Sequence, residues 1–222
     1  MFLPVRFLRA APLAALAVLF LPALGHAGPL VALGGGVSKS GLLEPHYEPW
    51  TPMGWLSLRG DFGEFGSAFA RAGYERHEDP LGLAVCLGPD CPRVQSATRR
   101  AIYVPLSVGL RVSAPRRGVS RSQAYVEAAS SLAWTRFERD VVLEYAGGSV
   151  LHDFRASRHW LPGFELGAGL TQRLFGGLGM EWGIRYAYRG VPRQTGATVA
   201  YEIEGDDVLR QMSLVAALTL GP

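Results

Sequence analysis

The stretch Ile102-Tyr-Val-Pro-Leu-Ser-Val-Gly-Leu-Arg-Val112 decides the fold, because its aliphatic residues recur at every second position. A helix would scatter these side chains around its circumference, whereas a strand places all of them on one side. The other side of that strand would carry Tyr103, Pro105, Ser107, Gly109 and Arg111. The stretch therefore predicts a β-strand with one continuous apolar face.

The same alternation recurs along most of the chain. It is clear in Leu178–Arg189 and in residues 211–220, where large apolar residues alternate with Gly, Ala, Ser, Thr and single charges. Weaker matches are Leu30–Ser38, Gly54–Gly60, Phe65–Glu75, Gln123–Phe137 and His159–Thr171. Together with Ile102–Val112 these segments predict eight strands and an all-β fold.

The connections between these strands alternate in length. Short connections follow strands two, four and six, at Asp61–Glu64, Ala114–Gly118 and Leu174–Gly177. Longer connections follow strands one, three, five and seven, at about 39–50, 76–98, 138–158 and 190–207. Short turns at one end and long loops at the other are typical of a transmembrane barrel, so the pattern predicts an antiparallel up-and-down barrel of eight strands.

The N-terminus has the pattern of a cleaved signal peptide. Arg6 and Arg9 precede an apolar run from Ala10 to Leu24, and Gly25-His26-Ala27 supplies small residues at the −3 and −1 positions. We expect residues 1–27 to be removed and residues 28–222 to form one barrel domain. Without the two arginines, 20 basic residues face 19 acidic ones, and this net charge of +1 argues against a general polyanion-binding surface. We expect no nucleic-acid partner.

The distribution of charge between the two strand faces predicts a membrane barrel. A soluble barrel would place its large apolar residues inside, but here one face is aliphatic or aromatic and almost free of charge. The other face carries paired charges, and we expect an interior network of Arg59, Arg71, Glu75, Arg111, Glu127, Glu165, Glu181 and Arg185. Such a network would fill the narrow lumen of eight strands and leave it non-conducting.

Aromatic residues lie toward the ends of the predicted strands. The loop-end group consists of Trp50, Trp55, Tyr74, Trp134, Trp160, Tyr186 and Tyr188, and the turn-end group consists of Phe62 and Phe175. This distribution is typical of the aromatic girdles of membrane barrels.

The signal peptide, the eight alternating strands and stretches such as Gly177-Leu-Gly-Met-Glu-Trp-Gly-Ile-Arg-Tyr186 resemble the small outer-membrane barrels of the OmpA/OmpX type. The resemblance covers about residues 28–220 and is architectural. It implies a location in the outer membrane of a Gram-negative bacterium and contact with outer-membrane lipid. It also implies a structural or surface-interaction role, in which external loops contact surface or host ligands.

Two alternatives remain open at this stage, a lipid-modifying hydrolase and a soluble exported ligand-binding barrel. A hydrolase would need a nucleophile, a base and an orienting carboxylate, and the candidates are Ser157, His159 and Glu165 on one strand face. His46 and His77 fall in separate predicted loops, and we expect no metal site and no cofactor. Cys86 and Cys91 flank a Gly-Pro-Asp turn and predict a short external disulfide.

Overall fold

The computed structural model describes residues 29–40, 50–62, 65–80, 93–115, 121–145, 148–190 and 208–221. These residues form eight antiparallel strands in one sheet, which closes as a barrel because β1 pairs with β8. The strands are β1 (Leu30–Ser40), β2 (Thr51–Phe62), β3 (Gly66–Pro80), β4 (Arg93–Ser113), β5 (Ser122–Glu144), β6 (Val150–Phe175), β7 (Leu178–Gly190) and β8 (Val208–Leu220). The predicted fold class is confirmed.

Each of the eight predicted strands lies within a strand of the structure or overlaps it almost completely. The predicted lengths are too short for the middle strands, since β4, β5 and β6 contain 21, 23 and 26 residues. In particular, the long loop expected at 138–158 is wrong. Val141 to Leu143 pair with Leu151 to Asp153, so the hairpin continues almost to residue 145. Val141, Val142 and Leu143 are apolar and compatible with a strand, so this part of the predicted loop belongs to β5.

The two ends of the barrel therefore differ. The turn end carries the short connections β2–β3, β4–β5 and β6–β7, and the hairpin end carries the extended parts of β3 to β6. The connections 41–49, 81–92 and 191–207 at the hairpin end lie outside the described residues, as do the predicted signal peptide and both cysteines.

The strands are staggered around the barrel. The chain of cross-strand partners that starts at Ser113 returns to the same strand at Tyr103, ten residues away, by way of Tyr125, Gly169, Gly183, Val215, Gly36, Met53 and Glu75. A stagger of this kind requires strands that are tilted by roughly 40° from the barrel axis.

Pro105 lies in the middle of β4, where a proline is expected to produce a bulge or an unpaired position. The β4–β5 register continues through Pro105 without a shift, so there is no bulge. On the other side, the pairing of β3 with β4 is interrupted between Ala72 and Glu75 and resumes in the same register. A Cβ on Gly73 would lie 3.1 Å from the Pro105 ring, so glycine leaves the space that the ring occupies. Pro105 has no partner on β3 because proline has no N–H to donate.

The β6–β7 turn consists of Gly176 and Gly177, which both have positive φ, 52° and 81°. Positive φ at both central residues is the type I′ turn that matches the twist of a hairpin. The two glycines differ in their surroundings. A Cβ on Gly176 meets nothing within 4 Å, whereas a Cβ on Gly177 would meet the carbonyl oxygen of Gly221.

We expect Gly176→Asn to change the free energy of unfolding by less than about 0.5 kcal/mol, because asparagine tolerates positive φ. Gly177→Asn should lose about 1–3 kcal/mol, since the new Cβ overlaps the Gly221 backbone. Urea unfolding followed by tryptophan fluorescence measures both variants. Equal stability of the two variants would contradict this account of the turn.

Candidate functional site

The interior of the barrel is the candidate site, because it holds most of the buried charged side chains of the described chain. The odd-numbered residues of β2 to β8 face inward, and those of β3 and β4 include Arg71, Glu75 and Arg111, which are at most 7% exposed. The outer face is apolar, with Leu33, Leu110 and Ile184 more than half exposed. This polarity is the reverse of that in a soluble barrel.

Glu127 on β5 is the centre of the interior charges. Its Oε1 accepts a hydrogen bond from Arg71 Nη2 at 2.7 Å and one from Arg185 Nε at 3.2 Å. Its Oε2 accepts one from Arg111 Nη2 at 2.9 Å. One carboxylate therefore connects arginines from β3, β4 and β7 across the lumen.

Two further carboxylates extend this network in both directions. Toward the turn end, Glu181 accepts from Arg111 Nη1 at 2.7 Å and from Arg59 Nη1 at 2.5 Å. Toward the hairpin end, Glu165 accepts from Ser107 Oγ at 2.7 Å and from Arg71 Nη1 at 3.3 Å. Buried charges are tolerated only when they are paired in this way.

Above Glu165 lies a smaller polar cluster around Glu75. Gln211 donates to Glu75 and accepts from Arg189, whose guanidinium is also 3.7 Å from Glu165. His77 Nε2 lies 3.5 Å from Glu75 Oε2. The structure thus connects seven of the eight proposed network residues, Arg59, Arg71, Arg111, Glu127, Glu165, Glu181 and Arg185, and joins Glu75 to them through Gln211 and Arg189.

Three interior residues were misplaced or missed by the sequence analysis. His77 was expected in an external loop, but β3 continues to Pro80 and places His77 in the lumen, 6% exposed. Arg189 and Gln211 were absent from the predicted network. The alternation of the sequence could have placed all three inside, because each lies an even number of residues from an inward-facing residue of its own strand. His77 is two residues from Glu75, Arg189 is four from Arg185, and Gln211 is two from Ser213.

Trp55 was assigned to the aromatic girdle, and this assignment is wrong. Its side chain is inside the barrel and 4% exposed, because it shares the inward face of β2 with Ser57 and Arg59. The Arg185 guanidinium lies 4.2 Å from the centroid of the Trp55 ring, and that of Arg71 lies 5.3 Å from it. Both distances are within the range of cation–π attraction.

The hairpin end of the lumen is lined by aromatic rings. His77, Tyr103, Phe137 and His159 follow one another on β3 to β6, with ring centroids 5.5, 6.0 and 6.1 Å apart. Tyr103 and Phe137 are almost completely buried. The turn end is open instead, with a cavity of about 730 Å³ lined by Arg59, Asp61, Gln123 and Thr171 among others. A second cavity, of about 20 Å³, lies beside Arg71 and Arg185.

The hydrolase candidates are not assembled as a triad. Glu165 is bound to Ser107 and Arg71, while Ser157 Oγ and His159 Nε2 are buried without a hydrogen-bond partner among the described residues. A serine nucleophile needs a hydrogen bond to its base, and the base needs one to the carboxylate. Within the described ranges, the structure also contains no group of three or more His, Cys, Asp or Glu side chains that could hold a metal ion.

Comparison with known proteins finds similarity at the level of structure. No protein-family model and no curated protein matches the sequence. Neisserial surface protein A (NspA) is 14% identical with a TM-score of 0.46, over 86% of this chain and 96% of that one. Ail, the attachment invasion locus protein of Yersinia pestis, is 12% identical with a TM-score of 0.44, over 86% of this chain and 97% of that one. The barrel assignment rests on the closed strand pairing, and similarities at this level carry no conclusion about function.

Among the described residues, no helix is long and apolar enough to span a membrane.

We expect Glu127→Gln to lower the free energy of unfolding by about 3–5 kcal/mol, because it leaves three buried arginines short of negative charge. The matched control is Asp61→Asn, which removes a carboxylate that is 53% exposed and 3.7 Å from Arg59. That change should cost less than about 1 kcal/mol. Urea unfolding of both variants, followed by tryptophan fluorescence, measures the difference.

The double variant Glu127→Gln/Arg185→Met tests the pairing itself. Arg185 has both Nη atoms buried without a partner, so its removal should restore part of the stability that Glu127→Gln loses. Strictly additive losses in this double-mutant cycle would contradict the network.

Proposed function

We propose that this chain is an outer-membrane β-barrel with a filled, non-conducting interior, and that it acts in structure or recognition through its external hairpin end. The observation that carries the proposal is the polarity of the barrel wall: apolar side chains face outward, and paired Arg and Glu side chains face inward. In lipid every backbone polar group must be satisfied within the protein, and a closed barrel achieves this.

The exposed aromatic residues support a membrane position. Tyr74 and Trp160 are 52% and 56% exposed near the hairpin end, and Phe62 and Phe175 are 49% and 76% exposed at the turn end. Tyr188 stacks on Phe164 with ring centroids 4.8 Å apart on the outer face. Such rings prefer the boundary between hydrocarbon and water, so the two groups delimit an apolar belt.

The interior supports a barrier rather than a channel. The Glu127 network crosses the lumen from β3 to β7, and the aromatic layer of Tyr103 and Phe137 lies above it toward the hairpin end. The cavity of about 20 Å³ beside Arg71 has room for about one water molecule. The larger cavity at the turn end would then be closed toward the hairpin end by the network and the aromatic layer.

Two parts of the proposal rest on the sequence. We include a cleaved signal peptide at residues 1–27, which brings the chain to the membrane from the periplasmic side. We also include a disulfide between Cys86 and Cys91 in the β3–β4 connection, on the external side where an oxidising environment would preserve it. Mass spectrometry of the membrane-extracted protein, with and without reduction and alkylation, tests both.

The membrane position predicts a depth-dependent response to charge. Leu110→Arg, on the outer face of β4 between Val112 and Val104, the partner of Trp134, should lower the stability in phosphatidylcholine vesicles by about 2–4 kcal/mol. Thr98→Arg, on the same face of the same strand beyond the belt, should cost less than about 0.5 kcal/mol. Urea unfolding in vesicles measures both, and equal costs would indicate that water surrounds the whole barrel.

The filled interior predicts an absence of ion conduction. The refolded chain in planar lipid bilayers should give no stable, reproducible single-channel steps, because the network and the aromatic layer block the lumen. Insertion is checked separately by flotation of the same preparation with vesicles. Reproducible conductance steps from inserted protein would contradict the filled interior but not the membrane location.

A further inference from the structure

We propose that the small cavity beside Arg71 and Arg185 is a binding site for a single chloride ion inside the barrel. The lining of this cavity combines side chains of the Glu127 network with side chains of the cluster around Glu75. The proposal requires the closed barrel but neither its insertion into a membrane nor its action as a barrier, so it goes beyond the proposed function.

The side chains that line the cavity include several buried donors without acceptors. Arg185 is 6% exposed, its Nε donates to Glu127, and both of its Nη atoms are buried without a hydrogen-bond partner among the described residues. The Nε atoms of Arg71 and Arg189 and the Nε1 atom of Trp55 are in the same condition, and these four residues all line the cavity. No oxygen atom of a lining side chain is left in this way within the described chain. The cavity is therefore surrounded by five donor atoms that need an acceptor.

Arg185 is the arginine of the network whose charge is least neutralised. Its Nε lies 3.2 Å from Glu127 Oε1, an oxygen that already accepts from Arg71 at 2.7 Å. The other oxygen of Glu127 accepts from Arg111, so three guanidinium groups share one negative charge. Arg71 and Arg111 each contact a second carboxylate, whereas Arg185 contacts none other among the described residues. A buried cation of this kind is stabilised by a further anion.

The two carboxylates that line the cavity are already occupied. Glu165 accepts hydrogen bonds from Ser107 and Arg71, and Glu75 accepts one from Gln211. Neither is within hydrogen-bond distance of Arg185. Three arginines and two glutamates line the cavity, so its wall carries one positive charge in excess. One monovalent anion would balance that charge.

The size of the cavity and the chemistry of its wall select the ligand. The volume of about 20 Å³ holds one particle of about the size of water, so sulfate and phosphate are too large for it. A water molecule would also bring two hydrogens, and the wall offers no unused side-chain acceptor for them. A monatomic anion accepts from several donors at once and donates none. Charge-assisted hydrogen bonds from Arg185 would offset the loss of its hydration shell.

The test measures how the melting temperature of the refolded chain in detergent micelles depends on chloride. Chloride replaces gluconate, an anion too large for the cavity, at constant ionic strength. A ligand that binds only the folded state stabilises that state, so the Tm of the wild type should rise with chloride concentration. The concentration dependence gives an apparent Kd for chloride.

Two variants remove the site in different ways. Arg185→Met removes the two Nη donors, whereas Ala187→Leu keeps every charge and fills the space that Ala187 lines. Each should weaken the apparent Kd for chloride at least about tenfold, because the ion loses charge-assisted hydrogen bonds or its space. The matched control is Arg158→Met, which removes an exposed arginine and should bind chloride like the wild type. Each protein is compared with itself in the two salts, so a change in basal stability does not affect the result.

Crystals grown in bromide locate the ion directly. We expect one anomalous peak within hydrogen-bond distance of the Arg185 Nη atoms in the wild type and none at that position in Ala187→Leu. Three outcomes would overturn the proposal: equal Tm values of the wild type in chloride and gluconate, equal chloride affinities of Arg185→Met and Arg158→Met, or a water molecule in place of the bromide. Flotation with vesicles and bilayer recordings test the proposed function separately, so its failure is distinguishable from that of the chloride site.

Discussion

The hydrogen bonds that Glu127 accepts from Arg71, Arg111 and Arg185 are the interaction on which the interior depends. Those from Arg71 on β3 and Arg185 on β7 connect β5 to strands that are not its neighbours in the sheet, so they fix the shape of the lumen. The one from Arg111 joins direct cross-strand partners on β4 and β5 and so supports their register. The network and the cluster around Glu75 contain five arginines, Arg59, Arg71, Arg111, Arg185 and Arg189, and four glutamates, Glu75, Glu127, Glu165 and Glu181. Aromatic faces accommodate part of this excess, as where Arg185 lies over Trp55 and Arg111 over Tyr125.

The sequence was sufficient to predict most of the fold because a strand has a period of two residues. Once Arg111 is placed on one face, the position of every other residue of β4 follows. The same rule would have placed Trp55 and His77 in the lumen. Trp55 was misplaced because an aromatic residue near a strand end was assigned to the girdle, and His77 was misplaced because the predicted strand ended at Glu75. Wherever a strand continues, the alternation of inward and outward positions predicts the side on which a residue lies better than its residue type does.

The ends of the strands and the partners within the lumen were harder to predict. The hairpin of β5 and β6 extends to Glu144 and Val150 through a charged segment, in which His152 Nε2 lies 2.7 Å from Asp140 Oδ1 and Val141, Val142 and Leu143 supply aliphatic side chains. The choice of Ser107 and Arg71 as partners for Glu165 depends on the stagger of ten residues around the barrel. His159 is too far away in any register, because six residues of one strand span roughly 20 Å. No local pattern encodes that stagger, since it results from the closure of β1 on β8.

That closure has a consequence for the order in which the barrel can form. Seven of the eight strand pairs join neighbours along the chain, and a two-glycine turn brings β6 and β7 together at little entropic cost. The pairing of Leu33 with Leu218 instead joins the two extremities of the described chain. Its loop is the longest, and its entropy must be lost before any contact of this pair is gained. We therefore expect β1 and β8 to pair last, and until they do, both are free edges of an open sheet. While these two edges are free, another strand could still be added to the sheet.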